Sequence, residues 1–278
     1  MSIIERLPEE IETYRDHMWQ REPERRVETA VEAEQLIERA GFCAAMTDAR
    51  RPGASLYVSV CGRRDAHMPR NVQKDPESSQ TWLLKDEIMR RGHVYYAKLA
   101  KARALFVAPR LVPHLNALWG VPRKAEGERL SDEARAVLKV LRRDWEMASS
   151  DLRTAARLTE RVRLTRALDE LQRTLKVIPC EVLYEPWFTY IWTLAEVRFD
   201  AELKVKVKRE TALREVARAF LDGAGMTLRG ELAKVTGLSR PDAGLGNRAL
   251  VAEGYAVRLA EGVYQLADLE RRLAETGI

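Results

Sequence analysis

Cysteine is scarce in this sequence: Cys43, Cys61 and Cys180 stand far apart, odd in number, with no Cys-x-x-Cys among them. That excludes a disulfide framework and fits a reducing compartment. The four histidines, His17, His67, His93 and His114, are scattered, and no pair has the spacing of a zinc site, so neither metal nor cofactor is expected. Long apolar runs are missing. No stretch approaches the roughly 18 residues that a membrane span needs. The opening residues, MSIIERLPEEIETYRD, are acidic and amphipathic and lack the apolar core of a signal peptide. These absences point to a soluble cytoplasmic protein with no membrane partner, and nothing in the composition suggests disorder or a fibrous repeat.

What is present is enough to build a core: 278 residues, 46% hydrophobic and 32% charged, a length that suggests about two domains. The net charge of +5 is modest, but its distribution is uneven. The first thirty residues hold eight acids against five arginines, whereas residues 50–110 hold thirteen Lys and Arg against five acids. Such a local excess suits a phosphate-facing surface, and suits a solvated basic face equally well.

Periodicity and punctuation divide the chain. Thr29 and Glu32 have capping-box spacing around the apolar stripe Val31, Leu36 and Ile37, which predicts a helix ended by Gly41. Residues 56–60 read as a short strand and 61–80 as a polar loop. A helix then starts at Trp82 behind Thr81 and stops at Gly92, followed by two β-rich pieces in HVYYAKLAKARALFVAP and a short helix over 111–118. GVPRKAEGE, residues 120–128, reads as a linker. Beyond it, Ser131 opens a helix with Ala134, Val137, Leu138 and Leu141 at helical spacing, Ser149 and Ser150 cap a second, and a third covers 161–174. KVIPCEVLY, a Glu185-Pro186 turn and WFTYIWTLAEVRF then form a hairpin. Helix, helix, helix, hairpin is the order of a winged helix. The same order recurs over 210–221, 227–236, 239–253 and a hairpin about Glu261-Gly262, with an amphipathic helix over 268–276. Two copies of one unit argue for a tandem array, and the N-terminal portion reads as a degraded third. The expected fold is α+β, mainly α: tandem winged-helix modules with small β-hairpins. Its expected parts are an acidic segment 1–28, a winged-helix-like domain 29–119, a middle winged helix 130–203 and a C-terminal winged helix 208–278.

A winged helix lays its third helix in the major groove of double-stranded DNA while the hairpin touches backbone or minor groove. Arginines on that helix contact phosphates or grip guanine O6 and N7. The candidates are Arg161, Arg163 and Arg166 in the middle module and Arg240, Asn247 and Arg248 in the last, with Lys98, Lys101 and Arg103 adding phosphate contacts. The same residues would suit inter-module faces, and winged helices also serve protein contacts. In the aromatic run Trp187, Phe188, Tyr190 and Trp192, strand alternation puts Trp187 opposite the other three, so at least one face belongs to the core. Aromatics can also stack on an extruded base or wedge between pairs. Lys85, Asp86 and Glu87 read as surface residues paired with Arg90 and Arg91, although acids in a basic region can also serve as general bases.

WLLKDE, the Tyr-Tyr-x-Lys after it and the two winged-helix blocks together resemble the AlkZ/YcaQ winged-helix DNA-glycosylase superfamily over roughly residues 30–266. The resemblance implies tandem winged helices with a small β element, acting on DNA that carries alkylated bases. Members position the attacking water with Gln-x-Gln or Gln-x-Asp. Gln-x-Gln is absent from this chain, and Gln-x-Asp occurs once, as Gln73-Lys74-Asp75. Chemically, a carboxylate near a carboxamide could steady a sugar cation and orient water, which makes Asp75 and Gln73 the catalytic candidates. Three functions remain open: a monomeric duplex-binding protein of this superfamily, an active glycosylase, and a winged-helix transcriptional regulator.

Overall fold

The computed structural model describes residues 6–100 and 103–276. In chain order its elements begin with α1 (Glu9–Met18), α2 (Ala30–Ala40), β1 (Phe42–Ala44), β2 (Ala54–Ser55), α3 (Leu56–Cys61), α4 (Pro76–Arg91), β3 (Tyr95–Lys98), β4 (Ala104–Val107) and α5 (Val112–Trp119). Next come α6 (Glu126–Arg129), α7 (Asp132–Asp144), β5 (Glu146–Ala148), α8 (Ser149–Ala155), α9 (Arg161–Arg173), β6 (Val177–Leu183) and β7 (Thr189–Leu194). Two short helices, α10 (Ala195–Arg198) and α11 (Asp200–Lys204), lead to α12 (Arg209–Ala224), β8 (Met226–Thr227), α13 (Glu231–Thr236), α14 (Arg240–Ala252), β9 (Ala256–Ala260), β10 (Val263–Leu266) and α15 (Leu269–Thr276). The fold is α+β and mainly α. No helix among the described residues is long and apolar enough to cross a membrane.

One topology appears three times. In α7–β5–α8–α9–β6–β7 the strand order is β5-β7-β6, and in α12–β8–α13–α14–β9–β10 it is β8-β10-β9. The run α2–β1–α3–α4–β3–β4 has the same order, β1-β4-β3, with β2 added in parallel beside β1. In each unit the short first strand pairs antiparallel with the last strand of the hairpin. The units do not share a core equally. One apolar cluster runs from Ile11 through Leu36, Phe106, Val216 and Leu269, joining the first and third units and taking in Ile178 and Val182 from β6, while most of the middle unit packs its own around Leu138, Leu168 and Trp192.

Several local expectations are corrected. Residues 56–60 belong to a helix, because LYVSVC is buried on every side and carries no alternation that separates strand from helix. Helix α4 begins at Pro76, not Trp82: Asp75 accepts the Ser78 amide as N-cap, and proline at the first helical position needs no amide partner. Thr227 lies in β8, and α13 starts after Gly230. The 120–128 stretch is not a free linker, since buried Glu126 binds Arg142 and Lys176 at 2.8 and 2.7 Å. The acidic N-terminal segment forms α1, and its Glu9 and Asp16 pair with Arg64 of the basic region. From α1, Arg15 reaches across to Glu231 at 2.9 Å and Tyr14 donates to the Asp222 carbonyl at 2.6 Å.

Candidate nucleic-acid interface

Helix α9, third in the middle unit, buries Leu164, Ala167, Leu168 and Leu171 and leaves Arg161, Arg163 and Arg166 exposed. Arg163 lies 3.6 Å from Glu133. Arg161 borders a cleft of about 650 Å³ between α8, α9 and the β6–β7 hairpin, with Arg153 and Lys98 on its rim. Lys98 reaches it from β3, held by Asp169 at 3.1 Å and by its own amide donating to Gln172. Arg103 instead donates to the Lys234 carbonyl at 2.6 Å, and Lys101 lies outside the described residues. In the third unit Arg240 and Arg248 are exposed, but Asn247 is 6% exposed on the side of α14 that packs against α12. It shares that buried face with Ala243, four residues before it, and Leu250, three after.

The hairpin carries its aromatics as a chain. Phe188 meets Tyr184 and Tyr190 at ring distances of 5.6 and 5.3 Å, and Tyr190 meets Trp192 at 5.8 Å. Trp192 anchors this chain in the core at 7% exposure, whereas Trp187 at the tip is 81% exposed. Core packing therefore accounts for one end of the run and not for the other.

Beneath the hairpin, Lys85 and Asp86 are 2% and 3% exposed, so the expectation of surface pairing with Arg90 and Arg91 is overturned. Those arginines pair elsewhere, with Glu181 and Glu34. Lys85 Nζ lies 2.6 Å from Asp86, donates to the Tyr190 hydroxyl at 3.1 Å and sits 4.1 Å from the Trp82 ring centre. Tyr184 donates its hydroxyl to Asp86 and accepts from Trp82 Nε1 at 2.7 Å. Burial, with the neighbouring Asp86 carboxylate, pushes the Tyr184 hydroxyl up to about 12. A buried ion pair needs such extra hydrogen bonds to offset its desolvation. Here they tie the hairpin of the middle unit to α4 of the first.

Two further clefts flank the loop 48–53: one of about 530 Å³ toward α1 and α13, the other of about 540 Å³ toward Met68 and Arg103. Asp48 is 6% exposed and borders the second. The Arg50 guanidinium, with the Met68 and Arg50 amides, holds its carboxyl down to about 2. Sequence reasoning missed Asp48, although Asp-x-Arg before Pro-Gly signals a carboxylate in a turn. Gln73 is exposed, Asp75 is occupied as the cap of α4, and neither lines these three clefts. Among the described residues no group of three His, Cys, Asp or Glu is placed to hold a metal.

A family model described as AlkZ related matches residues 27–222. The chain belongs to the AlkZ-related family. Of solved structures, the Streptomyces sahachiroi DNA glycosylase AlkZ matches with a TM-score of 0.56 at 16% identity, over 95% of this chain and 71% of that one. That likeness shows a shared fold, in agreement with the resemblance drawn from WLLKDE and the order of elements. No curated protein matches.

Proposed function

We propose that this AlkZ-related chain binds double-stranded DNA, and that its three repeated units are tandem winged helices. The observation that carries this reading is the middle cleft. Arg153, Arg161 and Lys98 stand on one side, and an exposed tryptophan on a braced hairpin stands on the other. Guanidinium and ammonium groups there would take backbone phosphates, with Arg163 and Arg166 extending the contact along α9. Trp187 would meet a groove or an unstacked base. From the third unit, Arg240 and Arg248 are available as additional contacts, while buried Asn247 is left out.

Reversing charge at Arg161, Arg163 and Arg166 together is expected to weaken binding to a fluorescent duplex at least tenfold at low salt and to flatten its salt dependence. Unchanged affinity would remove the middle unit from the interface. The name of the AlkZ neighbour favours a second reading, hydrolysis of an N-glycosidic bond in alkylated DNA. Heating the same alkylated samples in alkali tests it, since excision leaves abasic sites that break.

A further inference from the structure

The loop 48–53 is built as a rigid ridge. Ser55 Oγ donates to the Thr47 carbonyl at 2.6 Å, the Arg51 amide donates to the Asp48 carbonyl at 2.9 Å, and Asp48 binds Arg50. Gly53, at φ +96°, lies so close to α13 that a Cβ there would come within 2.8 Å of Val235. The ridge separates the two clefts of about 530 and 540 Å³, and Arg50 and Arg51 line both. Cations also enter from either side, Lys234 on α13 and Arg103 on the β3–β4 turn.

Most charges here are matched: Arg15 by Glu231, Arg21 and Arg64 by Asp16, Arg50 by Asp48. Arg51, Lys234 and Arg103 are not, for none has a carboxylate partner among the described residues. Arg103 donates to the carbonyl of Lys234, which fixes those two segments side by side. Three uncompensated cations thus cluster about one ridge. The large exposed hydrophobics lie elsewhere: Trp187, Phe188 and Leu183 border the middle cleft, and none borders these two. A protein interface takes its energy from buried aromatic and aliphatic anchors, whereas phosphate contacts need only well-placed cations.

We infer that this ridge is a second backbone-binding surface, which takes a phosphodiester strand on Arg51, Lys234 and Arg103, apart from the middle cleft. The inference rests on the duplex-binding reading. It adds that the first and third units grip the same nucleic acid through charge alone.

The test titrates the full chain against a fluorescent duplex over a series of salt concentrations. It uses Arg51→Ala/Lys234→Ala, the charge-conserving Arg51→Lys/Lys234→Arg, and Arg161→Ala/Arg166→Ala. Removing two phosphate contacts should lower the slope of log K against log salt by about 1.8. The charge-conserving pair should keep the wild-type slope, and the melting temperature should not move, because Arg51 and Lys234 are exposed. Wild-type slope and affinity in Arg51→Ala/Lys234→Ala, alongside weakened Arg161→Ala/Arg166→Ala, would overturn this inference and leave the duplex reading standing. The converse pattern would keep the ridge and remove α9. Wild-type protein that fails to bind at low salt would overturn both.

Discussion

Asp75 illustrates how one carboxylate can suit two roles and be occupied by one. Its side chain accepts the Ser78 amide at 2.8 Å, one of the orphan donors at the start of α4. Asparagine caps nearly as well as aspartate, and alanine costs about 1 kcal/mol. Asp75→Asn is therefore expected to unfold in urea within a few tenths of a kcal/mol of wild type, and Asp75→Ala about 1 kcal/mol earlier. Equal losses in both would argue that the charge itself, rather than the cap, is what counts. Should alkylated DNA be cleaved, Asp75→Asn tells whether this carboxylate also does chemistry. Asp48, at the edge of an arginine-lined cleft, would be the next to change.

Elements are held in place by close contacts as much as by apolar area. On α14, a Cβ at Gly246 would sit 2.4 Å from the Leu213 carbonyl and 2.9 Å from Ala217 on α12, so the two helices touch backbone to backbone. Gly246→Ala must separate them, and we expect a loss of about 1–3 kcal/mol. Gly244→Ala, one turn-fraction away, meets only the flexible end of Arg248 and should be neutral or stabilising through helix propensity. A melt of both variants decides this, and a stable Gly246→Ala would contradict the packing. These contacts also mark what a sequence can and cannot disclose. The start of α14 was legible because Ser239 and Asp242 form a local cap, and the two C-terminal hairpins were legible from alternation about turn residues. Helix α3 was not, because a fully buried run has no polar face to reveal its period. The burial of Lys85 and Asp86 was not legible either, since their aromatic partners Tyr190 and Tyr184 lie 105 and 98 residues further along the chain. The repeat itself was visible as an order of helices and hairpins, while the short first strand that completes each sheet was too brief to announce itself.

Across the whole molecule the first and third units are joined by a shared core, and α1 reinforces the joint. Arg15, 4% exposed, donates to both oxygens of Glu231 and to the Ala224 and Met226 carbonyls. Glu231→Ala leaves that guanidinium buried without a counter-charge, a change that commonly costs about 3–5 kcal/mol. Denaturant unfolding of Glu231→Ala should show that loss. A loss below about 1 kcal/mol would mean that water or another acid takes over the role of Glu231. The middle unit has its own core and meets the others through α4, β3 and the Lys85–Asp86 network, so its cleft is positioned by hydrogen bonds as well as by packing.

The reach of α1 to residues 222–231 also bears on how the chain is made. Translation proceeds at about 5–20 residues per second, so roughly 10–40 s separate the appearance of Arg15 from that of Glu231. A nascent chain thus carries α1 waiting for a docking place that only the third unit supplies. The joint between α1 and the third unit can therefore close only after more than two hundred further residues have left the ribosome.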